Sequence, residues 1–171
     1  TRGEESGFSG TTTMNIRKRV LDGNVWKLGD IIHSTPVSVA KPPDNYHIIY
    51  GDASYQQYIS GVSKRETMVY VGANDGMIHA FDGHSGQEAW AFVPEFALPM
   101  FSVMADSGYC HRYSCDQTVS VKDIVVGGRW RTVLCAGGGR GSAALFALDV
   151  TYPDNPGVLW QQSLPNGAAA H

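Results

Sequence analysis

The sequence predicts an all-β fold of short antiparallel meanders. Runs rich in Val, Ile, Tyr and Phe are cut by 20 glycines and 8 prolines, the pattern of antiparallel strands and tight turns. No long stretch shows helical periodicity. A strand–turn–strand–turn–strand unit over 69–90 is echoed by a second over 133–160.

Strands are expected at 37–40, 47–51, 68–73, 77–81, 88–93, 124–127, 132–136, 145–149 and 158–161. Asn74-Asp75-Gly76 joins two of them, and Asp-Gly suits a two-residue type I′ turn, which needs positive φ at both central positions. A second turn follows at Asp82-Gly-His-Ser-Gly86. There the Asp82 carboxylate can accept backbone N–H bonds and Gly86 can take the left-handed conformation. The next strand carries Trp90. Segment 94–104 can hold a helical turn or two, since Glu95-Phe-Ala-Leu98 fits a short amphipathic start. Alternation turns His79 away from Ile78 and Ala80, toward solvent or a surface between blades.

Matching Val69 to Val133, Asp82 to Asp149 and Trp90 to Trp160 gives offsets of 64, 67 and 70, with Gly86 and Gly157 as the turn glycines. Strand, aspartate, turn glycine, then tryptophan is the order of a radial β-repeat. One four-stranded blade cannot bury both faces, and a Trp near its edge can fill the wedge against a neighbour. A propeller needs about 4–8 blades, so 171 residues hold two to three. The organisation expected is a partly flexible lead-in over 1–25, incomplete propeller blades over 26–162 and a tail over 163–171. The start at Thr1 and the tail Ala168-Ala-Ala-His171 read as cut ends of a longer protein.

Composition narrows the function. Hydrophobic residues make up 43% and charged residues 17%, enough to build a core. Net charge is −3, with 13 Lys+Arg against 16 Asp+Glu, so no basic stripe invites nucleic acid. The run Arg17-Lys18-Arg19 is a solvated face. No apolar stretch approaches the roughly 18 residues of a membrane-spanning helix.

The motifs read mostly as structure. Cys110, Cys115 and Cys135 form no CxxC or zinc-knuckle spacing. Cys110 and Cys115 can pair in an oxidising compartment, for roughly 2 kcal/mol in so small a loop, or stay as reduced thiols. Cys135 sits in an apolar strand and reads as core. Gly139, Gly141 and Ala144 match GxGxxA, but no βαβ unit surrounds them. Ser142 lacks the flanking glycines of a nucleophile elbow. In His33-Ser34-Thr35-Pro36 the hydroxyls suit local backbone bonding. The six histidines show no paired metal spacing, and Asn74, Asp75 and Asp82 lack the DxDxDG alternation of a calcium loop. No catalytic, cofactor or metal residue is assigned.

Four phrases are more specific. Trp26-Lys-Leu-Gly-Asp-Ile-Ile-His-Ser-Thr-Pro36 resembles the opening of the carboxy-terminal propeller domain in the PilY/PilC family of type IV pilus tip proteins. Met68-Val-Tyr-Val-Gly-Ala-Asn-Asp-Gly-Met-Ile-His-Ala-Phe-Asp82, Gly128-Arg-Trp-Arg-Thr-Val-Leu134 and Phe146-Ala-Leu-Asp-Val-Thr151 resemble it too, in the family's order. The resemblance implies two to three quinoprotein-like blades of an expected seven, in a non-enzymatic module for pilus biogenesis and tip adhesion. It implies an extracellular place at the pilus tip or outer membrane, where such proteins influence assembly and retraction. The implied partners are minor pilins of the tip complex, a host or abiotic surface and the remaining blades. Calcium is implied only elsewhere in the parent protein. Arg2-Gly3-Glu4 stands where some relatives carry Arg-Gly-Asp, and the longer glutamate supports no integrin-type recognition. The Tyr113-Ser-Cys-Asp-Gln117 loop departs from more apolar, glycine-rich relatives. Two alternatives share the blade rhythm. A pyrroloquinoline-quinone dehydrogenase would bring adjacent cysteines, which are missing here, and an outer-membrane protein assembly scaffold would differ in its amino-terminal half.

Overall fold

The computed structural model describes residues 20, 21, 23–25 and 27–163. Arg2-Gly3-Glu4, Arg17-Lys18-Arg19, Trp26 and the tail from residue 164 lie outside the described residues.

Two four-stranded antiparallel sheets make up the body. In the first, β3 (Val37–Val39), β4 (Met68–Gly72), β5 (Ile78–Asp82) and β6 (Glu88–Phe92) lie side by side in chain order. The second repeats this with β7 (Ser120–Val126), β8 (Arg129–Gly137), β9 (Ala144–Asp149) and β10 (Gly157–Ser163). The two first strands, β3 and β7, touch each other, as inner strands do around a radial axis. These are two blades of a partial propeller. Before them lies a small ribbon, β1 (Val20–Leu21) paired with β2 (Asn24–Val25).

The sheets are joined through facing apolar rows. Met68, Tyr70, Ile78 and Ala80 of the first meet Leu134, Ala136, Phe146 and Leu148 of the second, with Trp90, Phe92 and Val121 packed at the margin. Phe92 and Phe146 have ring centroids 5.2 Å apart. Trp90 also donates its indole N–H to the Pro153 carbonyl at 2.6 Å, tying the outer strand of one blade to a loop of the next. Burying a side chain of the size of Phe146 contributes roughly 1.5–3 kcal/mol, so this seam holds the blades together.

The helices correct several expectations. Residues 47–51 are not a strand: Tyr46–Ile49 form a single turn, α1. Among the described residues no strand pairs with them, while Ile48 and Ile49 N–H find the Asn45 carbonyl and Tyr46 stacks on Trp130 at 5.3 Å. A nine-residue helix, α2 (Ala53–Gly61), follows where none was expected. The turn foreseen over 94–104 is a short 3-10 segment, Glu95–Ala97, leading into α3 (Leu98–Ala105).

Three corrections concern register and burial. The Asn74-Asp75-Gly76 hairpin is a three-residue loop, closed by Ala73 N–H on the Met77 carbonyl at 3.1 Å, with Gly76 at φ +88°. The longer loop frees Asn74 and Asp75 for tertiary bonds. Val133 stands opposite Asp149 as Met68 stands opposite Asp82, so Val133 corresponds to Met68 and not to Val69. A slip of one residue reverses the face of every side chain. Cys135, read as core, is exposed, because it lies on the face of β8 opposite buried Leu134.

Candidate functional site

At one end of the first blade, three chain segments far apart in sequence converge on a buried polar clasp. The residues are Gly29–Thr35 of the approach to β3, the Asn74-Asp75-Gly76 loop between β4 and β5, and Ser114–Thr118 before β7.

Asp116 is the centre, at 4% exposure. Its carboxylate accepts the backbone N–H groups of Ile32 (3.0 and 3.1 Å), His33 (3.0 and 2.9 Å) and Ser34 (2.9 Å). The Asn74 side-chain amide donates to it at 3.1 Å, and His33 Nδ1 stands 3.0 Å away. Successive N–H groups turned to one side make an anion-binding concavity, here filled by the chain's own carboxylate. Burial works to raise the Asp116 carboxyl, but the donors from Ser34, His33 and Ile32 outweigh it and hold it below the usual range.

Asn74 links the parts. Its amide donates to Asp30 at 2.8 Å, its carbonyl oxygen accepts Ser114 N–H at 2.9 Å, and its backbone N–H reaches the Asp30 carbonyl at 2.9 Å. Asp75 accepts Gly29 N–H at 2.9 Å and Met77 N–H at 3.2 Å. Burial pushes the Asp30 carboxyl up, while Asn74 and the His111 ring, 2.9 Å away, bring it below the ordinary value. Ser34 Oγ donates to the Gln117 carbonyl at 3.1 Å and accepts Gly72 N–H at 2.9 Å. Gly72 permits this close passage, since a Cβ there would stand 2.0 Å from the Cys115 carbonyl oxygen.

This geometry holds chain segments in place. Ser34 is bonded to backbone and His33 to Asp116, so the adjacent pair forms no nucleophile–base couple. His79 is buried, not turned to solvent, with its ring nitrogens 2.7 Å from Glu88 and 3.1 Å from Asp75. Among the described residues no cluster of three or more His, Cys, Asp or Glu is arranged to hold a metal. A cavity of about 260 Å³ opens between β3 and β7, lined by Val37, Val39, Arg65, Lys122 and Asp123 among others. Its Arg65 is engaged by the Ala40 carbonyl and Thr132, and its Asp123 by Tyr55 and Thr132.

The repeat residues fall in two groups. Asp82 accepts His84 N–H and Ser85 N–H, and Gly86 adopts φ +72° in that turn. Asp149 accepts Thr151 N–H at 3.0 Å and pairs with Arg131, whereas Gly157 opens β10 opposite it. Trp90 spans the seam, and Trp160 is half-exposed. Cys110 and Cys115 are both free thiols, one exposed and one buried. Burial, then the charge of Asp75, pushes the Cys115 thiol up to about 12. The clasp carboxylate Asp116 was missed by sequence reasoning. Its backbone donors lie more than 80 positions away and Asn74 lies 42 away, and only its place in a polar loop between Cys115 and Gln117 marks it.

Comparison with known proteins gives a consistent result. A family model described as the PilY1 beta-propeller domain matches residues 28–168. A type IV pilus biogenesis factor PilY1 homologue of Xylella fastidiosa is 40% identical over 142 residues, covering 80% of this chain and 12% of its own. The type IV pilus biogenesis factor PilY1 of Pseudomonas aeruginosa strain UCBPP-PA14 is 37% identical over 142 residues, covering 78% of this chain and 12% of its own. The crystal structure of the Pseudomonas aeruginosa PilY1 C-terminal domain superposes with a TM-score of 0.59 at 34% identity, over 74% of this chain and 25% of that one.

Proposed function

The chain belongs to the PilY1 beta-propeller domain family, and from that premise we propose that it forms two blades of a type IV pilus biogenesis factor, a non-enzymatic assembly module on the bacterial surface. The observation that carries this reading is the likeness, over most of the chain, to proteins named as pilus biogenesis factors. The chain spans about an eighth of the length of those relatives, 12%, so its part is that of a structural sector within a larger machine. The clasp supports a scaffold role, because its carboxylates accept from, and its Asn74 amide donates to, groups of the same chain.

The finer reading is a place at the pilus tip or outer surface, with minor pilins as partners, influence over assembly and retraction, and attachment to host or abiotic surfaces. Deleting the gene of the parent protein tests both levels. Surface pili and twitching motility are expected to fall and to return with the wild-type copy. Normal piliation, motility and attachment in the deletion strain would overturn the proposal. Attachment that survives the loss of pili would remove the adhesive part alone.

A further inference from the structure

The cavity between β3 and β7 is built by a departure from the repeat. In the second blade a tight Gly127-Gly128 turn joins the first two strands, whereas in the first blade residues 40–67, which carry α1 and α2, make that connection. Lys41 and Arg65, near the two ends of this insertion, line the cavity together with Val37 and Val39 of β3 and Val121 of β7. Its inner end is fixed by bonds within the chain. Arg65 donates to the Ala40 carbonyl and to Thr132 Oγ1, Thr132 donates to Asp123, and the Tyr55 hydroxyl of α2 donates to the same carboxylate. Both Thr132 and Asp123 are buried.

The charged side chains lining the cavity are Lys41, Arg65 and Lys122 against Asp44 and Asp123, a surplus of one positive charge. Arg65 and Asp123 are tied together through Thr132. Lys41 and Lys122 are exposed, and neither has a carboxylate partner among the described residues. Sites for small molecules combine apolar walls with a few placed polar groups, and this one offers valines within and two uncommitted amines at its rim. We propose that the cavity binds a small amphiphilic acid, its apolar body against the valines and a single carboxylate at Lys41 and Lys122. One surplus cation suits one negative charge and not a dianion such as phosphate, which the neighbouring Asp44 and Asp123 would repel more strongly. The inference rests on the cavity and not on the pilus role, so its failure leaves the pilus reading standing.

The test titrates the full-length parent protein with N-acetyl-leucine and with N-acetyl-leucinamide, its uncharged twin, following the ligand signals by NMR. The acid is expected to bind about tenfold more tightly than the amide, the combined effect of two exposed ion pairs. N-acetylglycine, which lacks the apolar body, should bind about tenfold more weakly than N-acetyl-leucine. In the double variant Lys41→Gln, Lys122→Gln, changed only at exposed positions, the acid should fall to the affinity of the amide. That loss of preference is a readout that a merely structural role for the lysines would not produce. The proposal is overturned if the acid does not bind, if the amide or N-acetylglycine binds as tightly, or if the acid keeps its advantage in the double variant. Displacement of the acid by inorganic phosphate would overturn it too, since the site would then take anions without regard to their charge or apolar body.

Discussion

Asp116 shows how much of this architecture one carboxylate can carry. Its two oxygens meet three consecutive backbone N–H groups and the Asn74 amide, and bonds to a charged acceptor are worth about 1.5–3 kcal/mol each. Replacing it by asparagine keeps the shape, removes the charge and turns an NH2 group toward donors. Asp116→Asn is therefore expected to lower hydrogen-exchange protection at Ile32, His33 and Ser34 by about 100-fold, with the β9 amides unchanged. Unchanged protection at those three amides would show that the clasp is not held by this charge. The pH dependence follows in sign. The folded state holds Asp116 below its unfolded value, so on acidification the unfolded chain takes up the proton first. The stabilisation is complete above the ordinary aspartate value of about 3.9 and is lost as pH falls through the lower folded value. Exchange at the same amides should accelerate in that window in the wild type and lack this step in Asp116→Asn. None of this was legible from Asp116 itself. The hairpin at Asn74 was readable, but the use of Asn74 and Asp75 as tertiary ligands was not, because turn chemistry and long-range bonding call for the same residue types.

At the scale of elements, the two blades differ most between their first and second strands. In the second blade Gly127 and Gly128, both at positive φ, close that hairpin, whereas the first blade inserts α1 and α2. The insertion reaches across to the neighbouring blade. Tyr55 donates to Asp123 at 2.8 Å, Trp130 donates to Ser54 at 3.0 Å, and Tyr55 and Trp130 meet edge to face at 4.7 Å. Tyr55→Phe keeps the ring and leaves a buried carboxylate oxygen without its donor, at a cost of about 1–3 kcal/mol. Faster cleavage by protease within 53–61, with the strands still protected, is the expected readout; a cleavage rate equal to wild type would mean that the hydroxyl bond does not hold α2. Strands were legible wherever apolar alternation met glycine turns, as at β4, β5 and β9. The helices were not. Ile48-Ile49-Tyr50 has β-strand composition, yet Tyr46–Ile49 form a helical turn, and among the described residues no strand pairs with it. Helix α2 is announced only by Asp52, which caps Ser54 and Tyr55 N–H, and its stability comes from partners that are distant in sequence.

For the whole molecule, the decisive surface is the seam between the blades, and its order follows from the repeat. Each sheet runs from an inner strand to an outer one in chain order. One face of the first sheet thus meets the other face of the second. The sequence carried the parts of this rule that depend on composition, such as Asp82 with Asp149 and Trp90 with Trp160. It concealed the facing, because pairing Val69 with Val133 by sequence alone is a one-residue slip that the ladder reverses. Phe146 is the most direct test of the seam. It is fully buried and rests against Phe92 and Phe96, so Phe146→Ala should cost about 3–5 kcal/mol through lost contacts and a residual cavity. Phe146→Leu, which fills most of that space, should cost clearly less. In the full-length protein the alanine variant should be cut by protease between the blades and support fewer surface pili, with the leucine variant closer to wild type in both. If the alanine variant matched wild type in protease resistance, the blades would be held by something other than their shared core. If it were cut readily while piliation stayed normal, the seam would be structural but dispensable for pilus biogenesis.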